Sequence, residues 1–201
     1  MPRAVVFDVG NVLVDWDVRA FYARHIADPQ RLDWFCRTVV SPQWHFQHDA
    51  GRPFAETSAE LIAQFPAEAD LIRRYGPQFN ETITGAMPGM PALVEWLAAR
   101  GVPLFAITNF SAEFWPPFRA QWAMFDHFAD IIVSGAVRLT KPDAAIYQLA
   151  LRQFGLAPGD GLFVDDRPEN VAAANANGFV GYLFAGHDEL EAELHRLNLL
   201  A

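Results

Sequence analysis

Five short apolar runs constrain the architecture more than any other feature of this chain. They are Arg3–Phe7, Val102–Ile107, Ile131–Ser134, Gly161–Val164 and Gly181–Phe184. Each is continuous rather than alternating, the pattern of strands covered on both faces. Helical periodicities separate the later ones. Met90–Arg100 repeats apolar residues at 90, 93, 94 and 97, and Gly101 follows it. Ala144–Phe154 carries Ile146, Tyr147, Leu149, Ala150 and Phe154 on one side and stops at Gly155. Pro168–Asn177 opens on proline and ends at Gly178. Proline in the first turn and glycine after the last are helix punctuation. The alternation predicts a doubly wound, Rossmann-like α/β core, its sheet mainly parallel and its crossovers right-handed.

The stretch 15–85 breaks that alternation. Val18–Ile26, Gln30–Val40, Phe54–Phe65 and Ala67–Phe79 suit amphipathic helices, and no strand pattern is evident among them. Ser41–Pro53 reads as a loop carrying Trp44, His45, His48, Asp49 and Arg52. Gly85-Ala86-Met87-Pro88-Gly89 punctuates the return to the sheet. The expected organisation is an α/β core of 1–14 and 86–201 with a helical cap of 15–85. An insertion after the first strand lies above the carboxyl edge of the sheet, where open α/β folds bind ligands.

Charge and composition exclude several function classes. Lys+Arg is 15 and Asp+Glu 24, a net charge of −9, with no basic run. Nucleic acid and anionic membranes are poor partners for such a surface. No apolar stretch approaches the ~20 residues of a membrane span, and Met1-Pro2-Arg3 leads directly into the first run. A soluble, cytoplasmic protein, monomeric or homodimeric, is expected. The single cysteine, Cys36, has flanks that favour a buried, inert thiol.

The polar residues that end the runs are the chemistry. Asp8 follows Ala4-Val5-Val6-Phe7, and Asp165-Asp166 follow Gly161-Leu162-Phe163-Val164. A carboxylate at the end of a buried strand is costly unless something uses it. Carboxylates brought together repel unless a cation lies between them or one stays protonated. An oxygen-donor site for Mg2+ is the natural reading. Thr108-Asn109 at the end of Val102–Ile107 and Lys141 before Pro142 fall on the same edge. Together they supply a nucleophile, a point cation and neutral hydrogen-bond donors, the parts that phosphoryl transfer needs.

Phe7-Asp8-Val9-Gly10-Asn11-Val12, Ile107-Thr108-Asn109, Lys141-Pro142-Asp143 and Phe163-Val164-Asp165-Asp166 resemble the four ordered motifs of the haloacid dehalogenase superfamily. The resemblance spans nearly the whole chain. Asp before Gly is common in turns and a lone lysine is commonly solvated, so each motif alone is weak; the four in order are specific. The opening and Phe114-Trp115-Pro116 look like those of bacterial sugar-phosphate phosphatases. The resemblance implies that Asp8 is the nucleophile, that Asp8, the Gly10 carbonyl, Asp166 and Asp165 serve the metal, and that Thr108, Asn109 and Lys141 hold phosphate. Asn170 is expected to orient a metal-bound water or Lys141. Trp44, His45, His48 and Arg52 are the expected substrate contacts from the cap, with a metal at the two histidines the less favoured reading. The aromatic series Phe110, Phe114, Trp115, Phe118, Trp122 and Phe125 is expected to serve packing rather than chemistry.

One departure matters. Relatives of this type carry an acid two residues after the nucleophile, and here that residue is Gly10. General acid catalysis contributes ~10²–10⁴-fold, so an acyl or anomeric phosphate, or help from a cap residue, is expected. The implied function is a phosphatase of a small phosphorylated metabolite. A 2-haloacid dehalogenase is the first alternative, disfavoured by the acid pair. An inactive binding protein is the second.

Overall fold

The computed structural model describes residues 1–200. A five-stranded sheet runs in the order β5-β4-β1-β6-β7. Its strands are β1 (Ala4–Phe7), β4 (Leu104–Thr108), β5 (Asp130–Val133), β6 (Gly161–Asp165) and β7 (Val180–Leu183). All four pairings are parallel. The most apolar run therefore lies in the middle, and Ala4, Val5, Val6 and Phe7 are all fully buried.

Alternate residues of these strands serve two separate cores, which is why the runs are continuous. Val5, Phe7, Leu104, Ala106, Leu162 and Val164 face one layer. There they meet α6 (Met90–Ala99) through Leu93 and Leu97, and α11 (His187–Arg196) through Leu190 and Leu194. Ala4, Val6, Phe105, Ile107 and Phe163 face the other. There α9 (Ala144–Gln153) contributes Ile146, Tyr147 and Ala150, and α10 (Pro168–Ala176) contributes Ala174. Each large apolar side chain so buried contributes about 1.5–3 kcal/mol of transfer free energy.

Between β1 and β4 the chain makes a largely helical excursion bounded by a feature absent from the expectation. β2 (Val14–Trp16) pairs antiparallel with β3 (Ile83–Ala86). Three residues are too few to show a period, and Gly85 weakens β3 as a strand signal. The helices inside this ribbon are α1 (Val18–Ala23), α2 (Pro29–Trp34), α3 (Pro42–Asp49), α4 (Phe54–Gln64) and α5 (Ala69–Arg74).

Helix α3 replaces the expected Ser41–Pro53 loop. Ser41 accepts a hydrogen bond from Trp44 N and Pro42 occupies the first turn, a start signal readable from the sequence. Its interior hides the period, because Trp44, His48 and Asp49 are buried polar or aromatic residues.

Cys36 lies in a short π-helical turn, Phe35–Val39, that extends α2. It is half-buried rather than buried, and burial pushes its thiol up to about 11. Among the described residues no helix is long and apolar enough to cross a membrane.

Candidate active site

Strand register builds the floor of the site. Phe7 lies opposite Ala106 on β4 and Val164 on β6. The residue after Phe7 is thereby set between the ends of both neighbours. Asp8 N donates to Val164 O at 2.8 Å, which places the Asp8 and Asp165 carboxylates side by side although the chain separates them widely.

Lys141 enters this acidic notch from the loop between α8 (Ser134–Val137) and α9. Its Nζ lies 2.8 Å from Asp8 Oδ1 and 2.7 Å from Asp165 Oδ2. The side chain is 1% exposed. Burial works to neutralise the ammonium, but the two carboxylates outweigh it and hold the group above its ordinary value. Asn109 fixes the lysine backbone on both sides. Its Nδ2 donates to Lys141 O at 3.0 Å and its Oδ1 accepts from Lys141 N at 2.8 Å. One amide hydrogen of Asn109 remains for the cavity.

The two acids after β6 do different work. Asp165 is fully committed: Oδ2 meets Lys141, Oδ1 accepts from Arg167 N at 2.9 Å, and Asn170 Nδ2 donates to both oxygens at 2.9 and 3.1 Å. Burial alone pushes its pKa up, yet the lysine and these donors bring it below the ordinary carboxylate value. Asn170 thus orients Asp165 and, through it, Lys141. Asp166 lines the cavity, and burial and then the charge of Asp165 push its carboxyl upward.

Asp8 is held by one oxygen. Val9 N at 2.7 Å and Lys141 both engage Oδ1, and no hydrogen bond falls on Oδ2 among the described residues. Burial pushes Asp8 up to about 7 against the pull of Lys141. Asp8, Asp165 and Asp166 each offer an oxygen within 4.8 Å of the others. Three carboxylates facing one ammonium leave uncompensated negative charge, and hard oxygen donors at this spacing suit magnesium.

Above this floor lies a cavity of about 180 Å³. From the core it takes Asp8, Gly10, Asn109, Lys141, Asp166 and Asn170. From the excursion it takes Trp16, Pro42, His45, Phe46, Asp49 and Phe79. Of the expected cap contacts only His45 reaches it. Trp44 packs in the helical core with Nε1 donating to Thr57 O at 3.2 Å, and buried His48 pairs through Nε2 with Thr57 Oγ1 at 2.7 Å. Arg52 is bound by Glu60 at 2.7 and 3.1 Å. These three sites were misplaced because a helix, not a loop, carries the first two. Thr108 ends β4 with 1% exposure and is not part of the cavity wall, so the expected phosphate contact there is not supported.

Several wall residues were given no site role from the sequence. Asn11 adopts a left-handed backbone at φ 58° and accepts from Trp16 N. The Trp16 ring lies 4.6 Å from that of His45, tilted by 34°. Asp49 is the last residue of α3, and Ser134 Oγ donates to its carbonyl at 2.6 Å. The same hydroxyl accepts from Phe110 N at 2.9 Å. At this seam a Cβ on Gly135 would fall 2.6 Å from Ala112 N, so only glycine permits the approach. Of the aromatic series, Phe110 borders the cavity, while Phe114, Phe118 and Phe125 are core.

Comparison with known proteins agrees with this geometry. The family described as haloacid dehalogenase-like hydrolase matches residues 2–178. A sesquiterpene phosphatase of Aspergillus oryzae is 28% identical over 89% of this chain and 88% of its own. Phosphoglycolate phosphatase 1 of Pseudomonas aeruginosa is 28% identical over 89% of this chain and 67% of its own. Among solved structures, the HAD family enzyme bt-2542 of Bacteroides thetaiotaomicron, in complex with magnesium and inorganic phosphate, superposes with a TM-score of 0.70. That likeness covers 96% of this chain and 99% of the other at 18% identity.

Proposed function

The chain belongs to the haloacid dehalogenase-like hydrolases, and we propose that it is a magnesium-dependent phosphatase of a small phosphorylated metabolite, a sugar phosphate foremost. The observation that carries this reading is Lys141 Nζ, 2.8 Å from Asp8 and 2.7 Å from Asp165, on the floor of the cavity. A fixed cation beside a carboxylate with one free oxygen is the arrangement that in-line phosphoryl transfer to a carboxylate requires.

Asp8 Oδ2 attacks phosphorus, the bond from phosphorus to the leaving oxygen breaks, and an aspartyl-phosphate forms on Asp8. Water then displaces the carboxylate at phosphorus and releases inorganic phosphate. Lys141 and the free Asn109 amide hydrogen meet the phosphoryl oxygens throughout. Asp165 and Asn170 keep the ammonium aimed. Asp8, the Gly10 carbonyl and Asp166 would hold magnesium, since both Asp165 oxygens are engaged by Lys141, Arg167 and Asn170. When bound, the ion supplies positive charge to the phosphoryl group and favours ionised Asp8.

The excursion 15–85 acts as the cap over a core of 1–14 and 86–201, because it supplies the aromatic half of the cavity wall. About 180 Å³ is below the ~300–1,000 Å³ of sites for drug-sized ligands. Trp16, Phe46 and Phe79 offer faces for the apolar side of a sugar ring, with His45 and Asp49 for its hydroxyls. The phosphatase names of the Aspergillus and Pseudomonas relatives point the same way.

The test is phosphate release from a panel of sugar phosphates and p-nitrophenyl phosphate, with and without magnesium, with Asp8→Asn in parallel. Activity that needs both magnesium and Asp8 is expected. Halide release from a 2-haloacid without metal, or phosphate release indifferent to Asp8, sinks the reading.

A further inference from the structure

Gly10 leaves the leaving-group oxygen without an acid at the position next to the nucleophile. The space there is open, since a Cβ on Gly10 would meet nothing within 4 Å. The reaction still needs a proton source, because an alkoxide is a poor leaving group and a positioned acid is worth ~10²–10⁴-fold. Three elements wall the cavity opposite the strand ends, and α3 alone among them brings a carboxyl.

We propose that Asp49, delivered by the last turn of α3, is the general acid that protonates the leaving-group oxygen and then the general base that activates water. This rests on the phosphatase reading above and names the residue that completes it. Asp49 is 5% exposed and lines the same cavity as Asp8. Its Oδ1 is buried without any hydrogen-bond partner, an unpaired polar atom of the kind that costs about 1–3 kcal/mol to bury. Such an atom is explained if a substrate oxygen is its partner. Its Oδ2 lies 3.4 Å from His45 Nε2, and the other His45 nitrogen is hydrogen-bonded to the Tyr75 hydroxyl. Ser134 ties the Asp49 backbone to the end of β5, so the carboxyl is aimed by the core and not by a free loop.

The surroundings favour the protonated form. Burial, and then the charge of Asp8, push the Asp49 carboxyl up to about 8, with Lys141 opposing. The negative end of the α3 dipole acts in the same upward direction. Burial lowers His45 to about 3, so the neighbouring ring carries no charge that would ionise the acid. Trp16 Nε1, buried and unpartnered in the same wall, provides a second donor for the departing group.

The proton balance closes over one turnover. Asp49 gives its proton to the oxygen that leaves phosphorus, and the alcohol departs. The resulting carboxylate takes a proton from the water that attacks the aspartyl-phosphate. Phosphate leaves, Asp8 returns as carboxylate, and Asp49 is again protonated.

The experiment compares wild type, Asp49→Asn, Asp8→Asn and Asp49→Asn/Gly10→Asp on two esters, propyl phosphate and p-nitrophenyl phosphate, with magnesium. Asp49→Asn is expected to lose ~10²–10⁴-fold in kcat/KM on the propyl ester and at least ten-fold less on the nitrophenyl ester, whose leaving group needs little protonation. Gly10→Asp is expected to restore much of the propyl activity in the Asp49→Asn background. Equal losses on both esters, or none, overturn the role of Asp49 while Asp8-dependent wild-type activity leaves the phosphatase reading standing. Wild-type phosphate release that does not depend on Asp8 overturns both. If Asp49→Asn does not fold, wild-type rates across a series of alkyl and aryl phosphates decide. A shallow dependence on leaving-group acidity supports a delivered proton, and a steep one overturns it.

Discussion

Ser134 donates its hydroxyl proton to the carbonyl of Asp49 at 2.6 Å. One bond thus joins the end of β5 to the end of α3 and sets a helical excursion against the sheet edge. The hydroxyl also accepts from Phe110 N, so three segments of the site meet at one buried oxygen.

Ser134→Ala leaves a buried N–H and a buried C=O without partners. The expected cost is about 1–3 kcal/mol, which lowers the melting temperature by several degrees in a chain of this size. Because the seam aims Asp49, kcat/KM falls along with stability. Thermal unfolding and steady-state kinetics on the same preparation check both; an unchanged melting temperature contradicts the seam.

Lys141→Met removes the only ammonium facing Asp8 and Asp165. Breaking a buried pair from one side costs roughly 3–5 kcal/mol. Without the lysine both carboxyls rise above their ordinary values, so the folded state binds more protons than the unfolded one. Stability of the variant is therefore expected to recover as pH falls from 8 to 5. Urea unfolding across that range reads the slope, and a variant indifferent to pH contradicts the pairing.

Asp49 and the buried histidines give opposite pH signatures. Asp49 is raised to about 8 from 3.8. Its protonated form is favoured by folding, and that contribution is lost as pH rises through about 8. Asp49→Asn is therefore expected to gain stability relative to wild type as pH rises from about 4 to about 8. Burial lowers His45 to about 3 and His48 to about 4 from 6.5. Their contribution is complete above 6.5 and is lost as pH falls towards those values. Replacing either with Gln is expected to flatten the acid limb of the melting curve.

Magnesium binding is expected to stabilise the fold by mass action, about 2.7 kcal/mol at a hundred-fold excess over Kd. Asp166→Asn is expected to remove most of that shift, because Asp166 faces the cavity while Asp165 spends both oxygens on Lys141, Arg167 and Asn170. A shift that survives Asp166→Asn but vanishes in Asp165→Asn reverses the assignment. Melting curves with and without magnesium read the difference without any substrate.

The core was legible because its strands announce themselves twice. Ala4–Phe7 and Gly161–Asp165 are apolar on both faces, and each stops at a carboxylate. Parallel packing puts such ends on one edge, so Asp8, Asp165 and Lys141 could be placed together from their positions alone. The ribbon of β2 and β3 was not legible, since neither Val14–Trp16 nor Ile83–Ala86 is long enough to display a period. The helix Pro42–Asp49 was obscured because its buried face carries the polar His48 and Asp49 while Phe46 is exposed, although Ser41-Pro42 marks its start. That error carried Trp44 and His48 from core positions into an imagined binding loop.

The residue types along the chain were sufficient for the α/β core and for the acidic, lysine-bearing edge, because strand burial and strand termination are local properties that composition records. The division of labour between Asp165 and Asp166 came from elsewhere: it depends on Asn170 and Lys141 reaching one carboxylate and not its neighbour. The same holds for Asp49. A carboxyl takes its chemistry from what surrounds it, and only the folding of α3 against β5 brings the buried surroundings of Asp49 together.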